Sequence, residues 1–264
     1  MNESEMSPQP VVEFTKESAA KDFHALGVQE GDTVLVQSGF RNFRMIRGGP
    51  TALIEALLMA VGKRGTLIMP TFNWVDFGEK KFYSKKNTKP QTGLLSELFA
   101  EWPGRERIYH PIHGFSLVGE NAKQLAQKVK NKSSFEEASL FGELYRMNAR
   151  LMLLGVSYRE GFSFFHYLEE AIGVPYRKFL NLKGIVEELD GSVRETTIPY
   201  YGRTSMQVDY DIDKIIPFLE GENNSLIKKR VIGKGVVRLM SARPVYERLA
   251  HVLRENPNLI LVGS

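Results

Sequence analysis

The chain has 264 residues, 42% of them hydrophobic, no cysteine, and a net charge of +4 from 35 Lys and Arg against 31 Asp and Glu. That size and apolar fraction suffice for a substantial core, while the lack of cysteine excludes disulfides, thiolate metal sites and a cysteine acyl-enzyme. The charge is too mild to argue for nucleic acid, apolar runs such as Leu151 to Val156 are far short of a membrane span, and the opening MNESEMSPQP resembles no signal peptide, so a soluble, cytoplasmic protein is expected.

In chain order, residues 1–12 read as a polar, disordered tail and 13–264 as a single domain. Phe14 to Gly27 has a helical apolar period ending on a C′ glycine. Thr33 to Gln37 is a short β-branched strand, and a glycine-bearing loop, Ser38 to Pro50, leads into a helix from Thr51 to Gly62 with Pro50 at its start. Gly65 to Pro70 is apolar on both faces, as buried parallel strands are. Helices over Gly93–Glu101, Asn121–Lys130 and Leu140–Met147 alternate with strands at Phe115–Gly119 and Arg150–Val156. After Tyr176 the pattern changes to a hairpin, Lys183 to Tyr201, turned by Asp190-Gly191. Helices at Ile212–Leu219 and Pro244–Glu255 flank a last strand near Val236–Met240. The rhythm predicts an α/β fold: a central, mostly parallel mixed sheet flanked by helices, with an α+β C-terminal portion.

Three segments carry chemistry. The first is the loop after Thr33–Gln37: Ser38 and Gly39 leave the strand, Arg41, Arg44 and Arg47 follow, and Gly48-Gly49 precede a helix N-terminus. Unpaired N–H groups and a positive dipole end make this an anion site, or else an ordinary loop. The second is HPIHG, where Pro111 keeps His110 and His113 off a helical face and no HExxH pattern supports a metal. The third is SFFHYLEE, where His166 shares a helix face with Glu169 and Glu170. A histidine held by a carboxylate can take a proton from an amine; the same spacing also fits a surface ion pair. No GxSxG elbow is present, so direct transfer is the simpler chemistry.

Taken in order, Gly27 to Trp74, His110 to Gly119, Leu140 to Glu170 and the GVPYR run at Gly173–Arg177 resemble the aminoglycoside 3-N-acetyltransferase family. The resemblance implies an enzyme, an acyl-CoA N-acyltransferase with acetyl-CoA as co-substrate, no metal and a small-molecule amine acceptor. It implies no nucleic acid or membrane partner, and is compatible with an oligomer. It puts Ser38, Gly39, Arg44, Gly48, Gly49, Thr71 and His110 beside the donor, with His166 as catalytic base and Glu169 as its carboxylate. The chain departs from the family pattern at Val36-Gln37-Ser38-Gly39, at Gly114, and before His166. With the net basic charge and the lysines between Lys80 and Lys89, these departures favour a phosphate-bearing acceptor such as a nucleotide-linked amino sugar of surface-polysaccharide assembly. The alternative is an aminoglycoside, with antibiotic resistance as the outcome.

Overall fold

The computed structural model describes residues 13–129, 133–205, 209–221 and 225–262; the expected tail, 1–12, lies outside the described residues. The first half runs α1 (Lys16–Leu26), β1 (Thr33–Ser38), α2 (Gly49–Val61), β2 (Thr66–Phe72), β3 (Phe82–Ser84), α3 (Leu94–Phe99), β4 (Glu106–Ile108) and β5 (His113–Gly119). It continues with α4 (Ala122–Lys128), α5 (Leu140–Arg146), β6 (Arg150–Leu154), α6 (Tyr158–Gly161) and α7 (Phe164–Ile172). The remainder is β7 (Arg177–Glu187), β8 (Val193–Arg203), α8 (Ile216–Glu220), β9 (Ile227–Ile232), β10 (Gly235–Ser241) and α9 (Ala242–Glu255).

Local chemistry sets several boundaries. Thr15 and Ser18 form a reciprocal capping box at the start of α1, and Gly27 closes that helix in the left-handed conformation. Pro50 lies in the first turn of α2, where its missing N–H costs nothing. The Asp190-Gly191 turn forms as expected: Asp190 Oδ1 accepts from the Ser192 N–H at 2.9 Å, and Gly191 has φ 84°.

Seven strands form one sheet in the order β4-β5-β2-β1-β6-β10-β9. β2, β1 and β6 are parallel neighbours, whereas β5, β4, β10 and β9 join antiparallel. The sheet is mixed, as expected, but parallel pairing is confined to its centre. The outer strands follow one another through short connections, β4 to β5 and β9 to β10, which allow only antiparallel return. Helix-bearing crossovers join β1 to β2 and bring the chain back to β6.

Side chains of the central strands alternate between two cores. Val34 and Val36 of β1 pack with Met152 and Leu154 of β6 under α1, α2 and α3. Leu35, Leu151 and Leu153 point the opposite way, into the core under α5, α7 and α9. Burying both faces explains the unbroken apolar runs in the sequence. A second sheet, β3-β7-β8, covers a small cluster around Phe77, Tyr83 and Ile198.

Candidate active site

The parallel strands end together. Ser38 closes β1, Phe72 closes β2, Leu154 closes β6, and His113, which opens antiparallel β5, pairs directly with Phe72. This is the edge where open α/β sheets build their sites. The loop between β6 and α7 returns here, and Gln37 Oε1 accepts from the Ser163 backbone N–H at 3.2 Å. That bond ties the start of α7 to the end of β1.

One turn into α7 stands His166, its side chain 35% exposed. Its Nδ1 lies 2.6 Å from Oε2 of Glu169, a carboxylate with 0% exposure. Since an ionised carboxylate can only accept, Nδ1 carries the proton and Nε2 keeps its lone pair. Arg177, at the start of β7 and 7% exposed, places Nε 2.8 Å from the same Oε2 as an ion pair, its N–H not aimed squarely at the oxygen. Arg177 Nη1 donates to the Tyr201 carbonyl at 3.1 Å, and Nη2 comes within 3.1 Å of His166 Nδ1. With both nitrogens as donors, that last contact is an approach of positive charge and no hydrogen bond.

The charges follow from this packing. Burial would raise the Glu169 pKa, but His166 and Arg177 together hold it below the usual value. His166 is lowered, first by desolvation and then by Arg177, with Glu169 pulling the other way. Burial and its neighbours also hold His113 well below the ordinary imidazole value. Its Nδ1 meets Ser134 Oγ at 2.6 Å. Phe135 packs against both His113 and His166, at ring separations of 4.8 and 5.4 Å. Trp74, exposed on a π-helical turn, tilts onto Tyr200 at 5.1 Å, and Tyr200 stacks on His113 at 6.1 Å. An aromatic wall therefore runs from solvent to the two histidines.

The other expected site residues fall into separate groups. Ser38 and Gly39 lie at the strand edge, where the Gly39 N–H donates to the Leu154 carbonyl. Arg44, Gly48 and Gly49 continue toward α2, and Gly48 lines an open groove with Thr15, Lys16 and Thr51 of the α1 and α2 N-termini. Thr71 is buried and sits in register with Gly114. A Cβ at position 114 would stand 2.9 Å from Thr71 Oγ1 and 3.0 Å from the Ile108 carbonyl, which accounts for glycine there. His110 is 3% exposed, and its Nδ1 accepts from the backbone N–H groups of Ile112 and His113 at 3.1 and 2.9 Å. It braces the turn that aims His113. Among the described residues no three His, Asp or Glu side chains are grouped to hold a metal ion. Nor is any helix long and apolar enough to cross a membrane among those residues.

The family model for aminoglycoside 3-N-acetyltransferase matches residues 35–254. The chain belongs to the aminoglycoside 3-N-acetyltransferase family. It is 29% identical over 188 residues to the SPbeta prophage-derived aminoglycoside N(3')-acetyltransferase-like protein YokD of Bacillus subtilis (strain 168), across 63% of this chain and 68% of that protein. It is 32% identical over 151 residues to aminoglycoside N(3)-acetyltransferase IV of Salmonella sp, spanning 57% of each chain. The fold matches that of an aminoglycoside acetyltransferase AAC(3)-IVa variant crystallised with a gentamicin, with a TM-score of 0.76 and 25% identity over 97% of this chain and 93% of that one. Membership makes this an enzyme of the acyl-CoA N-acyltransferase class, with acetyl-CoA as co-substrate.

The donor needs polar atoms free to meet it. Ser38 Oγ and Ser163 Oγ are both buried without a hydrogen-bond partner among the described residues, and they flank the Gln37–Ser163 bond at this edge. Polar groups of that kind fit a co-substrate that completes their bonding. Ser163, Tyr176 and Arg177 are the residues that spacing alone did not single out. Arg177 was visible only as part of the GVPYR run, because its contact with Glu169 is made through tertiary packing.

Proposed function

We propose that this acetyltransferase transfers the acetyl group of acetyl-CoA to an amine of an aminoglycoside, with His166 as general base. The observation that carries the reading is the 2.6 Å contact of His166 Nδ1 with buried Glu169, which leaves Nε2 as the proton acceptor at a half-open edge. The amine nitrogen attacks the thioester carbonyl as His166 Nε2 takes its proton. A C–N bond forms and the C–S bond breaks. The imidazolium, stabilised by Glu169, returns the proton to the departing thiolate, giving an amide and free CoA.

Ser38, Gly39 and Thr71 are proposed on the donor side, with Arg44, Gly48 and Gly49 reaching toward its phosphates. His110 supports them through the turn it holds. Trp74 and Tyr200 offer the acceptor ring a stacking surface.

The lysine argument for a phosphate-bearing acceptor is weaker in the folded protein. Lys80 pairs with Asp76 at 3.0 Å, Lys89 with Glu97 at 3.2 Å, and Lys85 with Glu188. Three of the five cations are thus neutralised locally, and the segment is no free positive rim. The names of the similar proteins also support a polycationic acceptor. An acceptor screen tests the choice: CoA release should be efficient with gentamicin-type amines and near background with nucleotide-linked amino sugars. The opposite ranking would return the reading to polysaccharide assembly.

A further inference from the structure

We propose that Arg177 is a positioning residue: by holding Glu169 as a carboxylate it decides which nitrogen of His166 carries the proton. The inference rests on the reading of His166 as the base.

A carboxyl group at 0% exposure beside a single neutral imidazole can sit in two states, the second of which has taken up one more proton from solvent. In one, Glu169 is ionised, Nδ1–H donates to it, and Nε2 is free to accept a proton. In the other, Glu169 is protonated and donates to Nδ1, Nε2 carries the hydrogen, and the histidine is useless as a base. Burial favours the second, since it disfavours the charged carboxylate. Arg177 reverses the balance, with its guanidinium 2.8 Å from the oxygen that faces the imidazole. The guanidinium is itself fixed, 7% exposed and bonded to the Tyr201 carbonyl across the β7–β8 pair.

The second oxygen of Glu169 belongs to the same device. Glu169 Oε1 and the Tyr176 hydroxyl are both buried without a well-formed hydrogen bond among the described residues. The two groups nevertheless interact, since Glu169 adds to the effect of burial in raising the phenol pKa. Tyr176 therefore stays neutral beside the carboxylate. Arg177 also approaches the imidazole directly, at 3.1 Å from Nδ1, which disfavours the resting imidazolium. Other titratable or charged groups that act on the pair are His113 on β5 and Arg203 on β8, toward the imidazole, and Tyr200 on β8, toward the carboxylate. Among all of these, only Arg177 is in contact with both members of the pair.

The test uses full-length protein with ¹⁵N-labelled histidine, its His166 signals assigned by their loss in His166→Ala. Wild type should show Nδ1 protonated and Nε2 free near neutral pH. Arg177→Met should let Glu169 take up a proton from solvent and so move the imidazole hydrogen from Nδ1 to Nε2, and the acid limb of kcat/KM should rise by roughly one pH unit or more because the pair binds its second proton more readily. Arg177→Lys keeps the charge, so it should hold the wild-type tautomer. If Arg177→Met does not fold, Arg177→Gln, which can still bond the Tyr201 carbonyl, takes the same readouts. A folded, uncharged variant with the wild-type tautomer and an unmoved acid limb would overturn the proposal. The tautomer is read without turnover, so failure of the base assignment registers separately, as full activity in His166→Ala.

Discussion

At position 169 burial alone would push a carboxylate toward its neutral form; at position 170, one residue on, burial does raise the pKa. Glu170 accepts from Ser133 Oγ at 2.9 Å, yet its pKa is raised by burial and by the nearby Glu136. Glu169 has the Arg177 guanidinium and the His166 Nδ1–H beside it, and its pKa is lowered. Glu169→Gln should therefore lower kcat less than loss of the histidine does, because an amide oxygen still holds Nδ1–H. It should also shift the acid limb of the pH–rate profile downward, since the carboxylate raises the His166 pKa. This is opposite in sign to the shift expected on removing Arg177. The same change strands the buried Arg177, at a cost of roughly 3–5 kcal/mol in unfolding free energy, whereas Glu170→Gln should cost about 1 kcal/mol. Denaturant unfolding and a pH–rate profile check both; equal stability losses at 169 and 170 would contradict the assignment. The His166–Glu169 pair was legible in the sequence because i, i+3 spacing on a helix is local information. Arg177 was not, since it reaches Glu169 only after the chain reverses at Gly173 and enters β7.

At the scale of elements, the inner strands were legible because both faces of β1, β2 and β6 are apolar. β9 was missed: its KKRV stretch is exposed in the middle, with only Ile227 and Ile232 buried, as suits an edge strand. β3 is three residues long, and the turn carrying Trp74 is π-helical, a form without a period that sequence patterns reveal. The loop after β1 depends on a contact equally hidden from sequence. Gly155, with φ 69°, lies against it, and a Cβ there would stand 2.5 Å from Phe43 Cε2 and 3.0 Å from the Gly39 carbonyl. Gly155→Ala combines left-handed strain with displacement of the Gly39 loop, and should cost at least ~2 kcal/mol. If that loop holds the donor, acetyl-CoA affinity falls with it. Thermal unfolding with and without acetyl-CoA measures both, and a fully wild-type response would remove the loop from the donor site.

For the whole molecule, net charge was a poor guide to the acceptor. The +4 total is spread over a surface where several lysines are paired with carboxylates, and one such pair, Lys85 with Glu188, joins residues 103 positions apart. Topology was legible as an α/β pattern, and the mixed character of the sheet followed from connection lengths that pattern alone left open. What the fold achieves is convergence: strand ends from β1, β2 and β6, the start of β5, and a helix whose first turn aims His166 at the same edge. The most direct test of the account is turnover by His166→Ala with an aminoglycoside acceptor, measured beside its acetyl-CoA affinity. The account predicts a kcat lower by ~10²–10⁴-fold with acetyl-CoA binding unchanged; wild-type turnover in that variant would contradict it.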